Sequence, residues 1–165
     1  MLNATPPLDE LYREVVLEHH RHPRGAQPLR RVDARAEGKN PSCGDEVAMQ
    51  LMLEDGRIVG LEVVSQGCAI STASGSMLAE RLQGRTLAEA RRVADVFKAA
   101  LHGDRVPAEI DLGDLEALIG VQKFPVRIRC ALLPWVTLLE ALLDEQGAPP
   151  SAIHIRSRVI PEEMP

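Results

Sequence analysis

Pro41-Ser42-Cys43-Gly44-Asp45 sets a thiol and a carboxylate two residues apart in a turn-forming stretch, and two further cysteines, Cys68 and Cys130, stand at distant points of the chain. Three cysteines and one well-placed aspartate can close a four-ligand site. Thiolates are soft, charged ligands suited to zinc and iron-sulfur clusters, and a carboxylate can take the fourth tetrahedral position. The same three cysteines can equally serve as small, inert core residues. Residue type and spacing leave both readings open, unlike two tandem C-x-x-C pairs, whose spacing alone would point to metal.

The rest of the chain says what must hold these groups. A length of 165 residues fits one domain with a substantial core. With 45% hydrophobic and 26% charged residues the chain is globular, and aromatics at 2% leave the core to Leu, Val, Ile and Ala. A net charge of −5, no dense Lys/Arg run and few aromatic stacking platforms argue against nucleic-acid binding, leaving a protein partner or small ligand. An odd number of cysteines cannot pair fully, which favours a reducing compartment. Met1 to Glu10 lacks a basic start followed by an apolar run, so no secretory signal is expected. The most apolar stretch, Cys130 to Leu143, is shorter than a membrane span and contains Pro134 and Glu140, so no membrane association is expected and the localisation is read as cytoplasmic.

Apolar residues recurring at Leu8, Leu11, Tyr12, Val15, Val16 and Leu17 predict an amphipathic helix from Leu8 to about His20, ended by Pro23 and Gly25. His19, His20 and His22 near its end read as a solvated helix terminus rather than a metal cluster, since i and i+1 do not share a face. Arg21 to Arg35, punctuated by Pro23, Gly25 and Pro28, reads as an irregular connection. Val47, Met49, Leu51 and Leu53 alternate as a strand, Asp55-Gly56 is a hairpin signal, and Ile58 to Val64 runs back. That hairpin brings Cys43, Asp45 and Cys68 to one end of a sheet. A helix is expected over Ala69 to Leu82 with Gly84 as its stop, which puts Cys68 just before a helix N-terminus, where a thiolate is favoured. Thr86 and Glu89 form a capping-box pattern ahead of a helix from Leu87 to about Leu101, and Asp104 to Gln122 is mixed with a helical turn near Leu115 to Ile119. Ala131 to Leu143 reads as a long apolar helix with Cys130 at or near its start, and Pro134 requires either that the first turn begin near Leu133 or that the helix kink. The stretch after Gln146, rich in proline, reads as a flexible tail.

Three blocks now stand together: Pro41-Ser42-Cys43-Gly44-Asp45, then Gly67-Cys68-Ala69-Ile70-Ser71, then Phe124-Pro125-Val126-Arg127-Ile128-Arg129-Cys130. They resemble the motif blocks of the IscU/NifU-type iron-sulfur cluster assembly family, and Leu11-Tyr12 to His22-Pro23-Arg24 is similar to that family's first helix. The resemblance spans roughly Leu8 to Gly147. Two departures resemble the SufU branch: Arg129 stands where cluster scaffolds typically have a histidine before the third cysteine, and extra residues fall around Gly103 to Gly120. The resemblance implies an α+β fold, SufE/NifU-like, with a small antiparallel sheet, helices on one face and a metal site at the sheet end. It implies a single SufU/IscU-like domain over 1–147 and a proline-rich, flexible tail over 148–165.

For function the resemblance implies zinc held by Cys43, Asp45, Cys68 and Cys130. The task it implies is to receive sulfur from a SufS-type, pyridoxal-phosphate-dependent cysteine desulfurase for delivery to downstream cluster assembly proteins. Cys43 is the expected sulfur acceptor because Ser42 and Gly44 flank it in a turn, and Arg127 can stabilise anionic sulfur or an acidic partner surface, or serve simply as an exposed solubilising charge. The alternative is a scaffold on which a transient [2Fe–2S] cluster is built. A purely structural zinc domain is a third reading, whereas a zinc deaminase would need H-x-E and P-C-x-x-C, neither of which occurs.

Overall fold

Three antiparallel strands and five helices carry the chain, described here from a computed structural model for residues 8–143 and 155–159. Helix α1 spans Leu8–Arg21, and an irregular connection leads to β1, Ala34–Asn40. Strands β2, Asp45–Glu54, and β3, Arg57–Gln66, form the expected hairpin. Its two-residue turn needs positive φ at both positions, and Asp55 (φ 50°) and Gly56 (φ 74°) supply it. Helices α2, Ala69–Leu82, α3, Leu87–Leu101, and the single-turn α4, Glu116–Ile119, follow. The capping box at α3 is complete: Glu89 N–H donates to Thr86 Oγ1 at 3.1 Å and Thr86 N–H to Glu89 Oε2 at 2.8 Å.

The sheet order is β3-β2-β1-β4, where β4 is a short parallel edge strand, Ile155–Val159, and Asn40 is paired to Asp45 and Glu46 to Gln66 across the two antiparallel ladders. Along β2 the buried residues are Asp45, Val47, Met49 and Leu51, the period-two pattern of a half-covered sheet. Helix α5, Pro125–Leu143, packs on β1 and β2, and α2 packs on β3 and on α5. Between them lie Leu78, Leu82, Phe97, Leu118, Leu138 and Trp135, all fully buried, with Phe97 and Trp135 rings 5.4 Å apart and tilted by 49°.

Four expectations are revised. Ala34–Asn40 is a strand, although Ala-Arg-Ala-Glu-Gly-Lys-Asn has no β-branched or aromatic residue; its buried Ala34 and Ala36 are small enough for α5 to lie close, so packing rather than propensity decides. Helix α5 begins at Pro125, not near Leu133. Pro125 takes the first helical position, where a missing N–H costs nothing, and Pro134 lies inside a continuous helix. Ser74 of α2 donates to the Ala131 carbonyl at 2.6 Å next to that proline and accepts the Trp135 indole N–H at 3.1 Å, so the disturbed turn is served by a neighbouring helix. The proline-rich tail contributes β4, Ile155–Val159, paired parallel to β1 from Arg35↔Ile155 to Lys39↔Val159, which gives the otherwise open edge of β1 a backbone partner; the remaining tail residues lie outside the described residues.

The fourth revision concerns His19, which is buried at 1% exposure rather than solvated. Its Nδ1 lies 2.7 Å from Ser76 Oγ and its Nε2 lies 2.8 Å from Asp114 Oδ2. One side chain thus ties α1 to α2 and to the 3₁₀ turn at Gly113–Leu115. His20 and His22 are exposed, as expected of a helix end. Removing a buried partner while leaving the others in place costs ~1–3 kcal/mol. His19→Ala should therefore lower the thermal midpoint by several degrees in calorimetry, with Asp114→Ala, whose residue is half exposed, losing less; an unchanged midpoint for His19→Ala would rule this tie out.

Candidate metal centre

Strand ends place the chemistry. Strand β1 stops at Asn40 and β2 starts at Asp45, its register partner, so residues 41–44 must form a tight connection. Cys43 and Gly44 N–H groups both donate to the Asn40 carbonyl, at 3.3 and 2.9 Å, and leave Cys43 half-buried on the turn. Strand β3 ends at Gln66, opposite Glu46, which brings Gly67 and Cys68 beside Asp45. Gly67 has φ +138°, and a Cβ there would lie 2.8 Å from Asp45 Cα and overlap its carboxylate, so only glycine fits. Cys68 occupies the N-cap of α2 and donates its N–H to Asp45 Oδ1 at 2.8 Å. Cys130 is fully buried in the second turn of α5, not at its start as the sequence suggested.

The ligand-type atoms converge at this sheet end. Cys130 Sγ lies 3.1 Å from Cys43 Sγ, and Cys68 Sγ lies 3.8 Å from Asp45 Oδ2. Donor atoms of Cys43, Asp45 and Cys130 are all within 4.8 Å of one another, and Cys68 adjoins this group through its contact with Asp45 Oδ2. Asp45 is 1% exposed, and its two oxygens are divided: Oδ1 takes the Cys68 N–H, while Oδ2 faces the sulfurs. A buried carboxylate among thiols is costly unless it is hydrogen-bonded and neutralised by a cation. Three thiols and one carboxylate are the donor types that suit a tetrahedral zinc ion, and the cluster is compact enough for it, so the residues fit that group.

The sulfurs are not equivalent electrostatically. The Cys68 thiol is lowered to about 6, chiefly by a hydrogen bond from Cys130 and further by the Ser71 and Ile70 N–H groups at the start of α2, with burial opposing. Cys130 is pushed well above the usual thiol range because it donates its S–H to Cys68, which favours keeping its proton, and because it is buried. Arg127 is held charged more firmly than usual, first by its hydrogen bond to Cys130 and then by the charge of Cys68. Arg129 turns to the Cys43 turn instead, donating from Nη1 to Ser42 Oγ at 2.8 Å. Outside the cluster, Cys43 and Cys68 line an open groove with Lys123, Phe124, Pro125, Val126 and Arg127, where Phe124 is 61% and Val126 52% exposed.

Residues 11–131 match the NifU-like N terminal domain. The chain belongs to that family. It is 36% identical over 140 residues to the zinc-dependent sulfurtransferase SufU of Bacillus subtilis, covering 85% of this chain and 95% of that one. It is 37% identical over 145 residues to the iron-sulfur cluster assembly scaffold protein IscU of Streptococcus pyogenes, covering 88% and 91%. Among solved structures it resembles an iron-sulfur cluster assembly scaffold protein for the SUF system from Fervidobacterium islandicum, with TM-score 0.75, 30% identity and coverage of 82% of this chain and 99% of the other. The resemblance read from the three cysteine blocks, and the α+β fold it implied, are thereby confirmed for this NifU-like chain.

The structure gathers Cys43, Asp45, Cys68, Cys130 and Arg127 at one site. Sequence reasoning missed Asn40, which is buried at 1% exposure with its Nδ2 3.5 Å from Asp45 Oδ2 and 3.7 Å from Cys130 Sγ. Its signal was its place immediately before Pro41, at the strand end that the missed β1 would have supplied. Gly67 offers the sharpest local test of this NifU-like centre. Gly67→Ala adds left-handed backbone strain of ~1–2 kcal/mol and drives a methyl group into Asp45. It should lower both the thermal midpoint and metal retention on a desalting column, whereas Gly56→Ala, also at positive φ but with open space around it, should lower only the midpoint. Equal metal retention in the two variants would show that Asp45 can move freely.

Proposed function

We propose that this chain is a zinc-bound sulfurtransferase that accepts persulfide sulfur from a SufS-type cysteine desulfurase and passes it to downstream cluster assembly proteins in the cytoplasm. Membership of the NifU-like family places it in iron-sulfur cluster assembly. The observation that carries the finer reading is the convergence of Cys43, Cys130 and the buried Asp45, with Cys68 beside Asp45 and Cys43 alone on a turn lining an open groove. Similarity to the zinc-dependent SufU of Bacillus subtilis supports it.

In this reading Cys43, Asp45, Cys68 and Cys130 hold the metal. Zinc, when bound, keeps thiols deprotonated without redox chemistry of its own. Asp45 and Cys130 are buried and fixed by a strand and a helix, so they stay while the Cys43 turn moves outward. The Cys43 thiolate attacks the outer sulfur of the desulfurase persulfide, the S–S bond breaks, and the desulfurase cysteine leaves as a thiolate. Arg127, on the groove wall and engaged with Cys130, balances the anionic sulfur that results. Exposed Phe124 and Val126 give the partner's loop an apolar seat beside the acceptor.

A scaffold reading, in which the same residues hold a transient [2Fe–2S] cluster, is favoured by the comparable identity to the Streptococcus pyogenes IscU. Purified protein separates the two. About one zinc per chain is expected by elemental analysis, and chelation should lower the thermal midpoint because the ligands come from three separated segments. Mixed with a SufS-type desulfurase and cysteine, the wild type should raise alanine release and gain one sulfur on Cys43 by mass spectrometry; Cys43→Ser should do neither, and Arg127→Ala should slow transfer about tenfold, ~1.4 kcal/mol. A stoichiometric iron-sulfur chromophore without stimulation of the desulfurase would establish the scaffold instead.

A further inference from the structure

Asn40 is a buried polar side chain in the centre that the sulfur-transfer step does not itself use. Both ends of its amide are engaged. Oδ1 accepts the Ser42 N–H at 3.3 Å, which turns Nδ2 the other way, toward Asp45 Oδ2 at 3.5 Å and Cys130 Sγ at 3.7 Å. The opposite rotamer would set an amide oxygen against a carboxylate and lose the Ser42 bond, so the orientation is chemically determined. Its backbone carbonyl meanwhile accepts both Cys43 and Gly44 N–H groups. One residue therefore touches the turn that carries the acceptor thiol and two of the groups that stay behind.

Asp45 makes this contact consequential. Its Oδ1 is already taken by the Cys68 N–H, so the Asn40 donor governs where Oδ2 points. Three thiolates and a carboxylate carry more negative charge than one divalent cation can neutralise, and a neutral N–H donor on Oδ2 and on Cys130 Sγ relieves part of that excess without adding a charge of its own.

We propose that Asn40 is a positioning residue of the centre: through Nδ2 it holds Asp45 and Cys130 as a preformed seat for the metal, and through Oδ1 and its carbonyl it ties that seat to the Cys43 turn. This rests on the zinc-bound reading above. Groups that orient metal ligands in this way change metal affinity by ~10–100-fold when removed. Asn40→Asp is the informative variant, because it keeps the shape and replaces the donor with a second carboxylate facing Asp45.

Wild type, Asn40→Asp and Asn40→Ala are loaded with zinc sulfate, and zinc transfer to a competing chromogenic chelator is followed beside the thermal midpoints of the loaded and chelator-treated forms. Both variants should lose zinc affinity ~10–100-fold, Asn40→Asp at least as much as Asn40→Ala, with a far smaller change in the metal-free midpoint than in the loaded one. The same deficit should appear in a Cys43→Ser background, since the groups that Asn40 directs are those that remain. Wild-type zinc affinity in both variants, or equal falls in the two midpoints, would reduce Asn40 to a strand-end residue and overturn the proposal alone. A wild type that takes up no zinc would overturn the zinc-bound reading and this proposal with it. Should Asn40→Ala fail to fold, the isosteric Asn40→Asp decides by itself.

Discussion

A carboxylate with almost no exposure has to be answered by donors, and the answer given to Asp45 organises this end of the molecule. Its Oδ1 takes the Cys68 N–H, which requires β3 to end two residues earlier and α2 to begin one residue later. Its Oδ2 faces Asn40, which requires β1 to end directly across the ladder. Slipping either ladder by one residue would turn Asp45 to the solvent face and move the core residues Val47, Met49 and Leu51 out with it, at a cost of several kcal/mol. Core burial and site geometry are thus enforced by a single register.

The segment between α3 and α5 adds to that frame. Leu112, Leu115 and Leu118 are buried, so this segment extends the core instead of hanging from it. Their polar anchor is His19, which reaches Asp114 on one side and Ser76 of α2 on the other. Because Cys68 caps the N-terminus of α2, the anchor steadies the far half of the helix whose first turn serves the centre. The segment then delivers the chain to Lys123 and Phe124 on the groove wall, so its docking bears on what a partner meets there.

Much of this was readable from residues alone, for reasons that differ by element. The β2–β3 hairpin followed from strict alternation and from Asp55-Gly56, and α2 and α3 followed from glycine stops and a capping box, all of which are local chemistry. Strand β1 was not readable, since Ala, Gly, Lys and Asn carry no strand preference and only contact with α5 makes them one. The start of α5 was misplaced because Pro134 drew attention as a helix breaker while Pro125, the true first-turn proline, passed unnoticed. His19 was misjudged for a related reason: neighbouring histidines say nothing about a serine 57 residues away that buries one of them. Asn40 was lost with β1. Cys43, Asp45 and Cys68, by contrast, flank the outer ends of a hairpin that was identified, so their convergence could be anticipated from pattern, whereas Cys130 joined them only through the family resemblance.

The three cysteines end in mechanically different places, and that difference gives the centre a direction. Cys68 is fixed by the first turn of α2 and Cys130 by the second turn of α5, and those helices are themselves joined by the Ser74 hydroxyl to the Ala131 carbonyl and by the Trp135 indole to Ser74. Displacing either helix to carry its cysteine outward would break these buried hydrogen bonds, a loss of several kcal/mol. Cys43 is held by two backbone bonds to the Asn40 carbonyl and by the exposed pair of Arg129 and Ser42, which a docking partner can replace. An exposed pair of this kind contributes only ~0–1 kcal/mol. In the sulfur transfer proposed for this chain, where a partner draws one thiol from the cluster, these energy differences favour Cys43, and the two helix-borne sulfurs remain beside Asp45 to receive it back.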